Sequence, residues 1–79
     1  MTIPRNLSGK KLIEILERHG YKAIRSSGSH VRLVHDGPPR HSITVLMHRT
    51  LMIGTLNAIL SSVAKHLNMD KQSILRDSR

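Results

Sequence analysis

Seventy-nine residues suit one small domain, and a chain this short buries only about 60% of the surface it exposes when unfolded. The absence of cysteine excludes disulfides, thiolate zinc sites and thiol catalysis, and with no Phe or Trp and Tyr21 as sole aromatic the core must be aliphatic. Thirteen Lys and Arg against five Asp and Glu give a formal charge of +8, which attracts polyanions such as RNA, DNA, an acidic protein or an anionic membrane. The polar residues 2–6 carry no export signature. No apolar run approaches the roughly 20 residues of a membrane span, so a soluble, cytoplasmic chain is expected.

The first element is a helix over residues 9–19. Ser8 stands at its N-cap, Leu12, Ile15, Leu16 and His19 recur at helical spacing, and Gly20 follows where a left-handed cap residue belongs. Residues 21–25 read as a short edge strand, and Ser26-Ser27-Gly28-Ser29 as a tight turn. Residues 30–35 alternate, with Val31 and Leu33 on one face and His30, Arg32 and Val34 on the other. After the Asp36-Gly37-Pro38-Pro39 loop, residues 42–48 alternate again, setting Ile43, Val45 and Met47 against Thr44, Leu46 and His48. These segments predict a three-stranded antiparallel meander.

A second helix begins at Gly54, with Leu56, Ile59, Leu60, Val63, Ala64 and Leu67 as its apolar stripe and Thr50 or Thr55 as its cap. Asn68 or Asp70 caps a short third helix ending near Leu75, and residues 77–79 are expected to fray. The order specifies one α+β layer sandwich spanning residues 1–79, its core over about 7–75, with the helices covering the sheet face of Val31, Leu33, Ile43 and Val45. Leu51, Met52 and Ile53 are read as a helix start packed into the core, the alternative being an exposed patch for a partner.

Six histidines are many for such a chain, and imidazole is the side chain best suited to moving protons near neutral pH. His19 suits a helix C-terminus, His35 and His41 flank the loop as solvated groups, and His66 is a polar helix position. No metal site is expected. No two histidines stand at helical i, i+4 spacing, and Glu14, Glu17, Asp36, Asp70 and Asp77 are scattered. A serine nucleophile is disfavoured too, because Ser29 and His30 are adjacent and point to opposite faces of extended chain.

His30 differs by its place. It follows a glycine turn at the start of a strand, on the face the helices leave bare, with Arg32 two residues along and Lys22, Arg25 or His48 on adjoining strands. RNA carries its own nucleophile, the 2′-hydroxyl, so one positioned acid or base with cationic support suffices for transesterification. A surface histidine in a turn is the alternative.

Ser8-Gly9-Lys10-Lys11-Leu12-Ile13 with Leu16, then His19-Gly20-Tyr21, Gly28-Ser29-His30, Ile43-Thr44-Val45 with Met47-His48, and Gly54-Thr55-Leu56 resemble the HicA (YcfA-like) toxin family. The resemblance spans about residues 7–75. It implies a fold like a double-stranded-RNA-binding domain, a ribosome-independent mRNA endonuclease without cofactor, and a neutralising HicB-like antitoxin, with DNA touched only through the antitoxin complex and no membrane partner. His30 falls on the family's catalytic histidine, and Gly28 and Ser29 on the turn before it, where small residues let the backbone approach a phosphate. Lys10, Lys11, Lys22, Arg25, Arg32 and Arg49 are the candidate RNA contacts. The chain departs from the family at Leu46, where a proline is usual, and that leucine is expected to carry apolar surface onto the outer sheet face. Two other functions compete: a non-catalytic double-stranded-RNA-binding module, which would want lysines where the final helix begins rather than Gly54-Thr55-Leu56-Asn57-Ala58, and an inactive toxin homologue acting as a protein-binding subunit.

Overall fold

The computed structural model describes residues 6–76, so the expectations for residues 2–5 and for the frayed terminus at 77–79 lie outside the described residues. The elements run α1 (Gly9–Arg18), β1 (Tyr21–Ser27), β2 (His30–His35), β3 (His41–Leu46), α2 (Ile53–Leu67) and α3 (Lys71–Arg76). The strands form an antiparallel sheet in the order β1-β2-β3. This is the α+β sandwich that alternation and helical spacing predict.

Local chemistry sets each boundary. Ser8 Oγ accepts the Lys11 N–H at 3.0 Å, satisfying one free donor of the first turn of α1. At its other end Gly20 takes φ +95°, the positive φ that stops a helix at little cost only in glycine. Helix α2 starts at Ile53 rather than Gly54, and neither Thr50 nor Thr55 caps it: Met52 holds the cap position without a side-chain hydrogen bond. Asn68 closes α2 in the left-handed region, φ 57° and ψ 45°. Asp70 Oδ1 then accepts the Ser73 N–H at 2.7 Å and opens α3, a bond that holds the carboxyl below its usual range.

The core lies between one sheet face and the helices. Leu12, Ile15 and Leu16 of α1, Tyr21, Val31, Leu33 and Val45 of the sheet, Leu51, Leu56, Leu60 and Val63 around α2, and Ile74 of α3 form one buried cluster. Leu46, which its register sets on the outer face as expected, is half-buried and packs against the edge of this cluster. The Leu51-Met52-Ile53 segment divides: Leu51 is buried, whereas Met52 and Ile53 are 78% and 45% exposed. A chain turning from strand into helix can aim only one of three successive side chains inward.

Strand β3 ends at Leu46, two residues short of the alternating pattern. Beyond it the Met47 N–H donates to the Ser29 carbonyl at 2.6 Å and the His48 carbonyl accepts the Gly9 N–H at 2.9 Å. The helix start thus sits against the strand end so closely that a Cβ on Gly9 would lie 1.8 Å from the Leu46 carbonyl oxygen. Helix propensity alone makes glycine to alanine favourable by about 1 kcal/mol. At Gly9 the clash reverses that sign. Gly9→Ala is expected to lower stability by about 1–3 kcal/mol in thermal or denaturant unfolding, while Gly54→Ala, with nothing within 4 Å of its Cβ position, holds or gains stability.

Candidate active site on the open face of the sheet

The β1–β2 hairpin turns through Gly28 and Ser29, with Ser27 opposite His30. Gly28 has φ +59° and is the only central residue with positive φ, the type II′ pattern whose twist matches paired strands. This turn fixes where β2 begins, and so which face receives His30. Its side chain is exposed on the face opposite Val31 and Leu33.

Register then arranges the open face in rows. Ser27, His30 and Leu46 form the first row, and Arg25, Arg32 and Thr44 the second. Lys22, Val34 and Ser42 form the third, with Val34 buried between its flanking neighbours. Arg25 reaches its row only through a bulge. The register shifts between Ala23 and Arg25, leaving Ile24 unpaired and 53% exposed. With strict alternation Arg25 would share the face of Tyr21, which is buried in the core; the extra residue inverts the parity and delivers Arg25 to the open side.

Arg25, Ser27, His30, Arg32 and Thr44 line a shallow hollow of about 250 Å³. Arg32 donates to Ser42 Oγ at 3.1 Å, which steadies its guanidinium over the sheet. Of the residues singled out in the sequence, the structure therefore gathers His30, Arg25 and Arg32, with Gly28 and Ser29 forming the turn beside them. The other cations lie elsewhere. Lys10 is exposed on α1, Lys11 sits 3.9 Å from Glu14, Lys22 lies one row beyond Arg25, and Arg49 is exposed in the β3–α2 loop. His48 also stands in that loop, past the strand that was expected to carry it. Ser27, Ser42 and Thr44 are additions; a hairpin register counted from the Gly28 turn would have found Ser27, whereas Ser42 and Thr44 depend on the separate pairing of β2 with β3.

Three other histidines meet at the opposite end of the sheet. His35 and His41 are not solvated loop groups, and His66 is not merely a polar helix position. Tyr21, His35 and His41 form one cross-strand row facing Ser62 and His66 of α2. Tyr21 Oη is hydrogen-bonded to His41 Nδ1 at 2.7 Å, and His41 Nε2 to Ser62 Oγ at 2.9 Å. His35 Nδ1 accepts the Gly37 N–H at 3.1 Å, so it carries no proton of its own. Across the 2.9 Å contact with His66 Nε2 it is therefore His66 that donates. The His41 and His66 rings stack with centroids 4.6 Å apart.

These bonds turn the ring nitrogens toward one another, Tyr21 and Ser62, and no group of three or more His, Asp or Glu among the described residues is arranged to hold a metal ion. Odd-number parity continued from Val31 and Leu33 would have placed His35 here. His19 is spoken for as well: its Nε2 lies 3.3 Å from the Ile74 carbonyl, joining α1 to α3.

A small basic α+β domain with one covered and one bare sheet face is the class these features define. Over residues 9–68 the chain matches the family model of the HicA toxin of bacterial toxin–antitoxin systems, and it belongs to that family. No curated protein and no solved structure is significantly similar to it. No helix among the described residues is long and apolar enough to cross a membrane.

The imidazole cluster makes stability depend on pH. Burial first, then the neighbouring His66 and His35, push the His41 pKa below its usual value. The unfolded chain therefore takes up a proton near pH 6.5 that the folded chain resists. Stability is full above that pH and is lost as pH falls through the histidine range. The melting temperature is expected to drop between pH 7.5 and 5.5, and His41→Gln to flatten that slope; equal slopes in the two proteins would refute the assignment.

Proposed function

We propose that this toxin is a metal-independent endoribonuclease acting on mRNA, with His30 as general acid or base and Arg25 and Arg32 as its cationic support. The observation that carries the reading is the sharing of one open hollow by an exposed histidine and two arginines. Elsewhere His19, His35, His41 and His66 are committed to hydrogen bonds within the fold, whereas the His30 ring faces the solvent at a place a strand of RNA can reach.

The chemistry follows from what RNA supplies. The 2′-oxygen attacks the adjacent phosphorus as its proton leaves, a pentacoordinate phosphorane forms, and the bond from phosphorus to the 5′-oxygen breaks. The products are a 2′,3′-cyclic phosphate and a 5′-hydroxyl. His30 performs one of the two proton transfers and water the other, while the guanidinium groups offset the charge that grows on the non-bridging oxygens. Neither a protein nucleophile nor a metal-bound hydroxide is required. Gly28 has nothing within 4 Å of its Cβ position, so the turn leaves room for the phosphate beside the ring. Lys10, Lys11, Lys22 and Arg49 contribute long-range attraction, which makes binding salt-dependent. Neutralisation falls to a HicB-like antitoxin, whose encounter with a chain of formal charge +8 is hastened by acidic groups on the partner.

Induced expression is expected to arrest bacterial growth with loss of mRNA, and His30→Ala to abolish both while keeping the wild-type melting temperature. In vitro the variant should cleave RNA about 10²–10⁴-fold more slowly. Cleavage by the wild type should persist in EDTA and leave cyclic-phosphate termini. Full toxicity in His30→Ala would disprove the mechanism.

A further inference from the structure

The second row of the open face holds a conflict that the first row does not explain. Arg25 and Arg32 are direct cross-strand partners, so their Cβ atoms stand only about 5 Å apart on the same face. Like charges placed this way destabilise a sheet. No carboxylate among the described residues pairs with either one; the hydroxyl of Thr44 continues the row, and Arg32 donates to Ser42 Oγ on its diagonal. The bulge at Ile24 is what creates the juxtaposition, since regular alternation would have turned Arg25 to the other face. A backbone irregularity that brings two cations together without a counter-ion leaves a position for an anion between them.

Its distance from His30 identifies which anion. The two rows are two residues apart along β2, which is about 7 Å, close to one sugar–phosphate repeat of an extended nucleic-acid strand. We propose that Arg25 and Arg32 form a second phosphate site, one nucleotide from the scissile phosphate at His30, so that the substrate is single-stranded RNA lying along β2. This deepens the nuclease reading and rests on it for the identity of the scissile site. Single-strandedness follows from the same chemistry: attack by the 2′-oxygen needs that oxygen, the phosphorus and the leaving 5′-oxygen in line, and a stacked A-form duplex holds them out of line. An unpaired strand can also be splayed over a shallow face.

The experiment compares a dinucleoside monophosphate, which has only the scissile phosphate, with trinucleotides extended by one nucleotide on either side. In wild type one of the two extensions should raise kcat/KM about tenfold, as expected for a charge-assisted phosphate contact. Arg32→Gln and Arg25→Gln should each remove that advantage, lowering kcat/KM on the favoured trinucleotide about tenfold more than on the dinucleoside, whose smaller loss reflects the support the two groups give the scissile phosphate. Neither substitution should lower the melting temperature, because each relieves a repulsion. An equal loss on both substrates, or no loss on either, overturns the second site.

Binding of the 2′-deoxy trinucleotide, which cannot react, is measured alongside. If the wild type cuts nothing, the nuclease reading fails while the anion site is still decided by whether Arg32→Gln weakens this binding. A longer RNA annealed to its complement should be cut far more slowly than the free strand. Equal rates would overturn the single-stranded assignment.

Discussion

Side-chain parity in a sheet covered on one face only is the constraint from which the rest of this molecule follows. Three strands and three short helices, with one aromatic residue, provide a core one layer deep. Whatever points toward the helices must be aliphatic or hydrogen-bonded, and of what points away Val34 alone in β2 is buried, while His30 and Arg32 are left to solvent. Leu33 and Val45, both wholly buried, anchor the covered face and thereby oblige His30, Arg32 and Thr44 to stand on the other. The exposure of His30 is a consequence of aliphatic burial one residue away.

The same constraint explains why the histidines divide into two populations. Tyr21, His35 and His41 share the parity of the core, and at that end of the sheet aliphatic packing gives way to a hydrogen-bonded polar cluster. Polar atoms can be half-buried there only because each finds a partner in the Gly37 backbone, Ser62 or His66. His30 begins β2 and His35 ends it, so one short strand carries a ring turned to solvent at one end and a ring locked into the fold at the other. The structural histidines tie α2 to the sheet at the edge remote from the hollow, and protonating them does not require any change at His30.

Two backbone departures are as informative as the regular elements. The II′ turn at Gly28 sets the register, and the bulge at Ile24 breaks it in the middle of β1. Between them lie the residues of β1 that face the open hollow. A strand of this length could pair without a bulge, but then Tyr21 and Arg25 would compete for the same side. The irregularity lets one seven-residue strand serve the core at its start and the cationic face near its end.

Helix spacing at Leu12, Ile15 and Leu16, strand alternation through Val31 and Leu33, and the glycine turn before His30 were enough to determine the element order, the covered face and the exposure of His30. These are local properties, set by periods of 3.6 and 2 residues and by the φ that only glycine takes at little cost. The family likeness of the motifs was legible in the same way. The tertiary structure alone decided that Arg25 joins Arg32, that His35, His41 and His66 converge, that Leu51 is buried while Met52 is not, and that Gly9 abuts Leu46. Each of these depends on a register shift or on contact between segments far apart in the chain, and a one-residue shift changes the face of every side chain beyond it without leaving a periodic trace in composition.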